Sequence, residues 1–256
     1  MAAQFDAVAE ATGAFTKLFQ KRNWLVALPV LAGQILAGFL AFMVVFAALG
    51  PAIFKQIVTG SETPEISPWQ IGFFAVGITL VVLFALAVNA FVYGWTLVAA
   101  EPIWAGGDPA FDRGFNRAAA SLLQLIAFQI LILLITIASL LIIVGPIIVG
   151  VLAIYGPPYI VLGGRSATHA IGDSFRLASE NLSETVILVL AFTVVAIGAI
   201  VPMLILSFIP IVGLIAQIAI QGVFTGYTAL AVVRFYGLLS ARAEAPPIAI
   251  VPTTSV

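Results

Sequence analysis

Between Arg117 and Arg165, and again between Glu184 and Arg234, the chain carries no charged residue. Each interval exceeds the roughly 20 apolar residues that cross a bilayer. In hydrocarbon there is no water to bond backbone N–H and C=O groups, so such runs are satisfied as helices. Composition agrees: of 256 residues, 62% are hydrophobic and 8% charged, against about a quarter charged in an average soluble domain. The fold class that follows is an all-α, multi-pass integral membrane protein. The absence of cysteine excludes disulfides, thiolate metal sites and a cysteine nucleophile.

Hydropathy places six spanning helices at about 24–49, 71–100, 121–144, 147–163, 184–207 and 211–236. The second would be about 45 Å long, more than the hydrocarbon core, so it tilts or projects. The fourth is short, and its "GPPY" stretch, Gly156 to Tyr159, removes backbone donors and predicts a kink. The net charge of −1 matters less than its division between the two faces. With a cytoplasmic amino terminus, nine of the ten basic residues lie inside: Lys17, Lys21, Arg22, Arg113, Arg117, Arg165, Arg176, Arg234 and Arg242. Only Lys55 lies outside. The positive-inside bias therefore puts both termini in the cytoplasm. The outer side then carries one substantial loop, "PAIFKQIVTGSETPEISPWQ", with Glu62 and Glu65, and tight turns at Gly145-Pro146 and at Ser207 to Pro210.

Ahead of the first span, "MAAQFDAVAEATGAFTKLFQKRN" lacks the basic start and short apolar core of a secretory signal. Its apolar residues are periodic instead. Phe5, Val8, Thr12, Phe15 and Phe19 fall on one side, and Asp6, Glu10, Lys17 and Lys21 on the other, as in a helix lying at the membrane interface. The same frame recurs. Phe111, Phe115, Ala118 and Leu122 in "FDRGFNRAAASL" match Ile171, Phe175, Ala178 and Leu182 in "IGDSFRLASENL", at spacings of four, three and four. Each stripe precedes a span with a proline at its outer end, namely Pro51, Pro146 and Pro210. Each returning span pairs a tyrosine with a glycine: Tyr93-Gly94, Tyr155-Gly156 and Gly226-Tyr227.

The expected architecture is thus a single membrane domain, 1–242, of three tandem hairpin units (about 1–100, 108–163 and 166–236), each preceded by an interfacial amphipathic helix, with a short tail over 243–256. Phe15, Phe19, Phe111, Phe115, Ile171 and Phe175 are the expected structural joints of these helices.

The segment "GGRSATHAIGDSFRLASENL", with Ser166, Ala170, Ser174, Phe175 and Asn181 between two apolar runs, resembles the membrane-domain family named after glycerophosphoryl diester phosphodiesterases. It is also similar to related uncharacterised six-span prokaryotic inner-membrane proteins. The resemblance covers nearly the whole chain and implies a fold and a topology. It carries over no catalytic residue, because the soluble phosphodiesterase domain that gives the family its name has no counterpart here.

The polar residues offer little chemistry. His169, Asp173, Arg176 and Glu180 share the polar face opposite Ile171 and Phe175. As a general base, His169 would take Asp173 as its orienter, but no nucleophile motif, metal cluster or phosphate loop accompanies it. A solvated face is the reading adopted. Within the spans Gln34, Asn89, Gln129, Gln217 and Gln221 are neutral, and no charge lies mid-span, which argues against a proton relay. Glu101, before Pro102, is read as a boundary residue. Gln217 and Gln221, one turn apart, and Gly222-x-x-x-Gly226 on a neighbouring face suit helix packing within a subunit, a subunit interface or a polar path lining, with Asn89 a further packing or path residue.

The expected function is a non-catalytic membrane protein that organises lipid or membrane-protein partners, without cofactor or metal. A small permease for an apolar or amphipathic molecule is the second reading, and a lipid-acting membrane enzyme the third. Expected partners are membrane lipids and a homo-oligomeric or other membrane protein, with no nucleic acid. The expected location is a prokaryotic inner membrane.

Overall fold

The computed structural model describes residues 6–59 and 68–244, and every regular element among them is helical. Helix α1 (Ala7–Leu18) is followed by a 3-10 turn at Asn23–Ala27 that leads into α2 (Leu28–Thr59). Helix α3 (Pro68–Ala100) ends in a second 3-10 turn, Glu101–Ala105, before α4 (Phe111–Ser139). Two short helices follow, α5 (Gly145–Leu152) and α6 (Gly156–Val161), then α7 (Ala167–Glu180), α8 (Leu182–Ser207) and α9 (Pro210–Glu244).

Five helical stretches are long and apolar enough to cross a membrane: Asn23–Ala47, Pro68–Ala105, Phe111–Ser139, Leu182–Ser207 and Val212–Ala243. The fourth expected span, 147–163, is not one helix. Its α5 and α6 have 8 and 6 residues, about 12 and 9 Å at the usual rise. The chain turns at Ala153 to Tyr155, and Pro157 and Pro158, which have no N–H to give, can only begin the next helix. The expected kink is a break.

Two further expectations are corrected. Helix α2 does not stop at Gly50 but continues past Pro51 to Thr59, so part of the expected outer loop is helical; Glu62 and Glu65 lie outside the described residues. One proline costs a helix a single N–H, which a spanning helix tolerates. The second amphipathic segment is also not a separate helix. It is the first three turns of α4, because Asn116 to Ser139 contain neither glycine nor proline to stop it. The other two amphipathic helices are set off by real breaks. Lys21 adopts a left-handed φ of 48° after α1. Asn181, at φ −124° and ψ 49°, separates α7 from α8.

Packing is concentrated at one end. The core draws on α1, Ala90 to Ala100 of α3, Ala118 to Phe128 of α4, Tyr155, α6, α7, Leu188 and Tyr227 to Leu239 of α9. Toward the other end α2 keeps its pairing with α3, and α8 with α9. There most described side chains are exposed, among them Phe39, Phe42, Trp69, Leu80, Leu204 and Leu214. The result is a packed base from which apolar hairpins rise.

Candidate functional site

The amphipathic segments enter the base mainly through small side chains. In α1 the buried residues are Ala7, Ala11, Ala14 and Leu18; in the first turns of α4, Gly114 and Ala118; in α7, Ala167, Ala170, Ser174, Leu177 and Ala178. The bulky residues expected to form the joints lie one position further on. Phe15, Phe19 and Phe115 are 41%, 56% and 47% exposed, while Phe111, Ile171 and Phe175 are half-buried. Small residues let helix backbones approach closely, which a phenylalanine prevents. At Gly114 a Cβ would lie 2.8 Å from the Trp95 carbonyl oxygen. The aromatic stripes occupy the flanks: Phe15 meets Tyr227 edge-on at 5.7 Å, and Phe115 meets Phe91 and Trp95 at 5.2 and 5.3 Å.

The stripe of α1 lines a groove of about 570 Å³ between α1, α8 and α9. Val8, Thr12 and Phe15 form one wall, Ile187, Leu190, Ala191 and Val194 the other, and Tyr227 contributes from α9. Thr12, the polar member of the stripe, gives its hydroxyl proton back to its own helix, with the Val8 carbonyl 2.8 Å away. This removes the one hydroxyl of that stripe from competition with an apolar occupant. A second groove, of about 360 Å³, lies between Leu83 and Leu86 of α3 and Phe128, Gln129, Leu133 and Thr136 of α4.

A charged clasp holds the α1 side of the first groove. The Arg234 guanidinium donates through Nε and Nη2 to the two carboxylate oxygens of Glu10 at 2.8 and 2.9 Å. It also lies 4.9 Å from the centre of the Trp104 ring, which the Lys17 ammonium approaches at 5.1 Å. The Trp104 indole N–H in turn donates to the Leu230 carbonyl at 2.9 Å. Asp6 caps α1 by accepting from the Val8 and Ala9 amides at 3.0 and 3.1 Å. Helix α1 is thereby fixed to α9 across almost the full length of the sequence.

The His169 segment is knitted into the base by other residues. His169 is exposed and its Nδ1 bonds the Ser166 hydroxyl at 2.8 Å. Asp173 is paired with Arg165 and Arg176, at 3.3 and 3.2 Å, so among the described residues it does not orient His169. The buried hydroxyl of Ser174 serves the break between α5 and α6: it donates to the Leu152 carbonyl at 2.6 Å and accepts from the Tyr155 amide at 3.1 Å. Gln124 Oε1 accepts from the Ala167 amide at 2.9 Å at the start of α7. Arg117 Nε donates to the Val161 carbonyl at 2.8 Å at the end of α6. Glu101 pairs with Arg113 at 2.6 Å on the surface. No group of three or more metal-ligating side chains occurs among the described residues.

The membrane-facing amides divide into two kinds. Gln34 and Asn89 line a cavity of about 20 Å³ between α2 and α3, room for one water. Gln217 and Gln221 are exposed. The adjoining glycine face is already occupied: a Cβ on Gly222 would lie 2.7 Å from Leu31, and one on Gly226 3.2 Å from Val26 and 3.3 Å from Leu18. That face packs within the chain.

Fold and site together define a membrane-embedded, all-α protein with an apolar groove beside a packed base. Comparisons with protein-family models, curated proteins and solved structures find no match.

Proposed function

We propose that this is a non-catalytic multi-pass protein of a prokaryotic inner membrane that holds lipid in the groove between α1, α8 and α9 and organises lipid or protein partners around it. The observation that carries the reading is the groove itself, whose walls are apolar and whose threonine hydroxyl is turned to its own backbone. An acyl chain meets a mainly apolar wall there, with the Thr12 and Thr16 hydroxyls bonded within α1, and its burial is favourable at roughly 0.8 kcal/mol per CH₂. Purification in mild detergent followed by native mass spectrometry tests it. The wild-type protein is expected to retain phospholipid, and Ala191→Trp, which fills the groove, to retain several-fold less. Protein that holds no lipid, or equal retention by the two proteins, would sink the proposal.

The topology proposed is six passes with both termini cytoplasmic, the packed base facing the cytoplasm, in the manner of the phosphodiesterase-associated membrane-domain family. Support for a sixth pass comes from where α5 and α6 run. Gly145 at the start of α5 lies against Ser139 at the end of α4, and Val161 at the end of α6 is bonded to Arg117 near its beginning. The broken pair therefore runs back alongside α4 from Ser139 toward Arg117, whose side chain reaches the end of α6. Three tandem units are supported by a small residue one position ahead of each stripe: Ala11, Gly114 and Ser174. Reporter tags at residues 2 and 256 are expected to read cytoplasmic and a tag beside Glu62 external; a carboxyl terminus on the outside rules out this topology.

A further inference from the structure

Hydroxyls in the outer halves of α8 and α9 look after themselves. Thr193 donates to Val189 O at 2.9 Å, Ser207 to Leu204 O at 2.7 Å and Thr225 to Gln221 O at 2.9 Å, each within its own helix. Gln217 and Gln221 are the exception. Both are exposed, one turn apart in the membrane-crossing part of α9, and neither amide bonds another described residue. Lipid tails offer an amide neither a donor nor an acceptor, and leaving such a group unbonded in hydrocarbon is costly.

What would satisfy them is another amide at the same depth. A carboxamide is both donor and acceptor, so across a twofold axis each glutamine can give to its counterpart and receive from it, the self-matching that an isologous interface demands. Two copies inserted the same way round necessarily present these residues at equal depth. The glycine face of α9 is unavailable for this, because Gly222 and Gly226 are packed against Leu31, Val26 and Leu18. Leu214, 59% exposed and one turn from Gln217, adds an apolar contact beside the amides.

We infer that the Gln217–Gln221 face of α9 is a homodimer interface, with the second copy of this chain as its occupant. The inference rests on α9 crossing the membrane and is independent of whether the groove holds lipid.

The chain has no cysteine, so single-cysteine cross-linking in native membranes has no background. Gln217→Cys and Gln221→Cys are expected to form, under mild oxidation, a species of twice the chain mass, whereas Leu36→Cys on the exposed face of α2 is not. A Gln217→Leu/Gln221→Leu protein is expected to lose at least tenfold in dimer fraction by subunit counting in bilayers, with helix content and membrane integration unchanged. Adducts of some other mass, no adduct from either α9 position, equal cross-linking through Leu36→Cys, or wild-type dimer content in the double-leucine protein would each overturn the interface.

Discussion

Gly114→Ala is expected to destabilise the protein by about 3 kcal/mol or more, at the upper end of what overpacking costs. The added methyl would meet the Trp95 carbonyl oxygen at 2.8 Å and the Trp95 ring at 2.6 Å. A ring can swing aside; a carbonyl belonging to α3 moves only if the helix does. Because α3 and α4 are packed together within the base, the strain reaches its centre. The internal standard is Gly198→Ala in α8, where the new methyl meets nothing within 4 Å. There the exchange is expected to stabilise the helix slightly, since glycine costs about 1 kcal/mol relative to alanine in a helix interior. Thermal stability in detergent and the amount of membrane-integrated protein measure both; equal stability of the two variants means that the α3–α4 crossing does not depend on a bare backbone at position 114.

Ser174→Ala is expected to cost about 2 to 6 kcal/mol, from two buried backbone groups left unbonded at roughly 1 to 3 kcal/mol each. Those groups are the Leu152 carbonyl and the Tyr155 amide, freed where α5 stops and before α6 can begin. Ser179→Ala on the exposed side of the same helix, where the hydroxyl only returns to the Arg176 carbonyl at 2.9 Å, is expected to change stability by less than about 0.5 kcal/mol. The same two measurements apply, with hydrogen exchange at Tyr155 as a local readout. Ser174→Ala with wild-type stability and a protected Tyr155 amide would show that the hydroxyl is not what closes the break.

The helical membrane class was legible because apolar length and absent charge suffice for it, and so were the positions of α1 and α7, whose polar and apolar faces are distinct. The seams were not. Reading for bulk selected Phe111, Ile171 and Phe175, which pack against the core from its edge, and Phe15 and Phe115, which stay exposed. Close approach between backbones is achieved instead by the smaller residues Ala14, Gly114 and Ser174. The signal was present as Ala7-x-x-x-Ala11 and Ala170-x-x-x-Ser174. Proline misled in both directions: Pro51 lies within a continuing helix, while Pro157 and Pro158 divide one. The groove was legible only in part. Its α1 wall followed from periodicity, but its α8 wall and the Glu10–Arg234 clasp depend on which helices meet, and local spacing carries no information about that.

Glu10 and Arg234 are 224 residues apart, and that separation has a meaning in time. At usual rates of synthesis, roughly 5 to 20 residues per second, the first helix waits about 10 to 45 seconds for the residue that secures it. During this interval its carboxylate, its alanine seam and the Trp104 ring have no arginine to receive them. Helix α9 therefore completes what α1 began, and a chain interrupted before Arg234 presents the cell with α1 undocked, however many of its hairpins have already reached the bilayer.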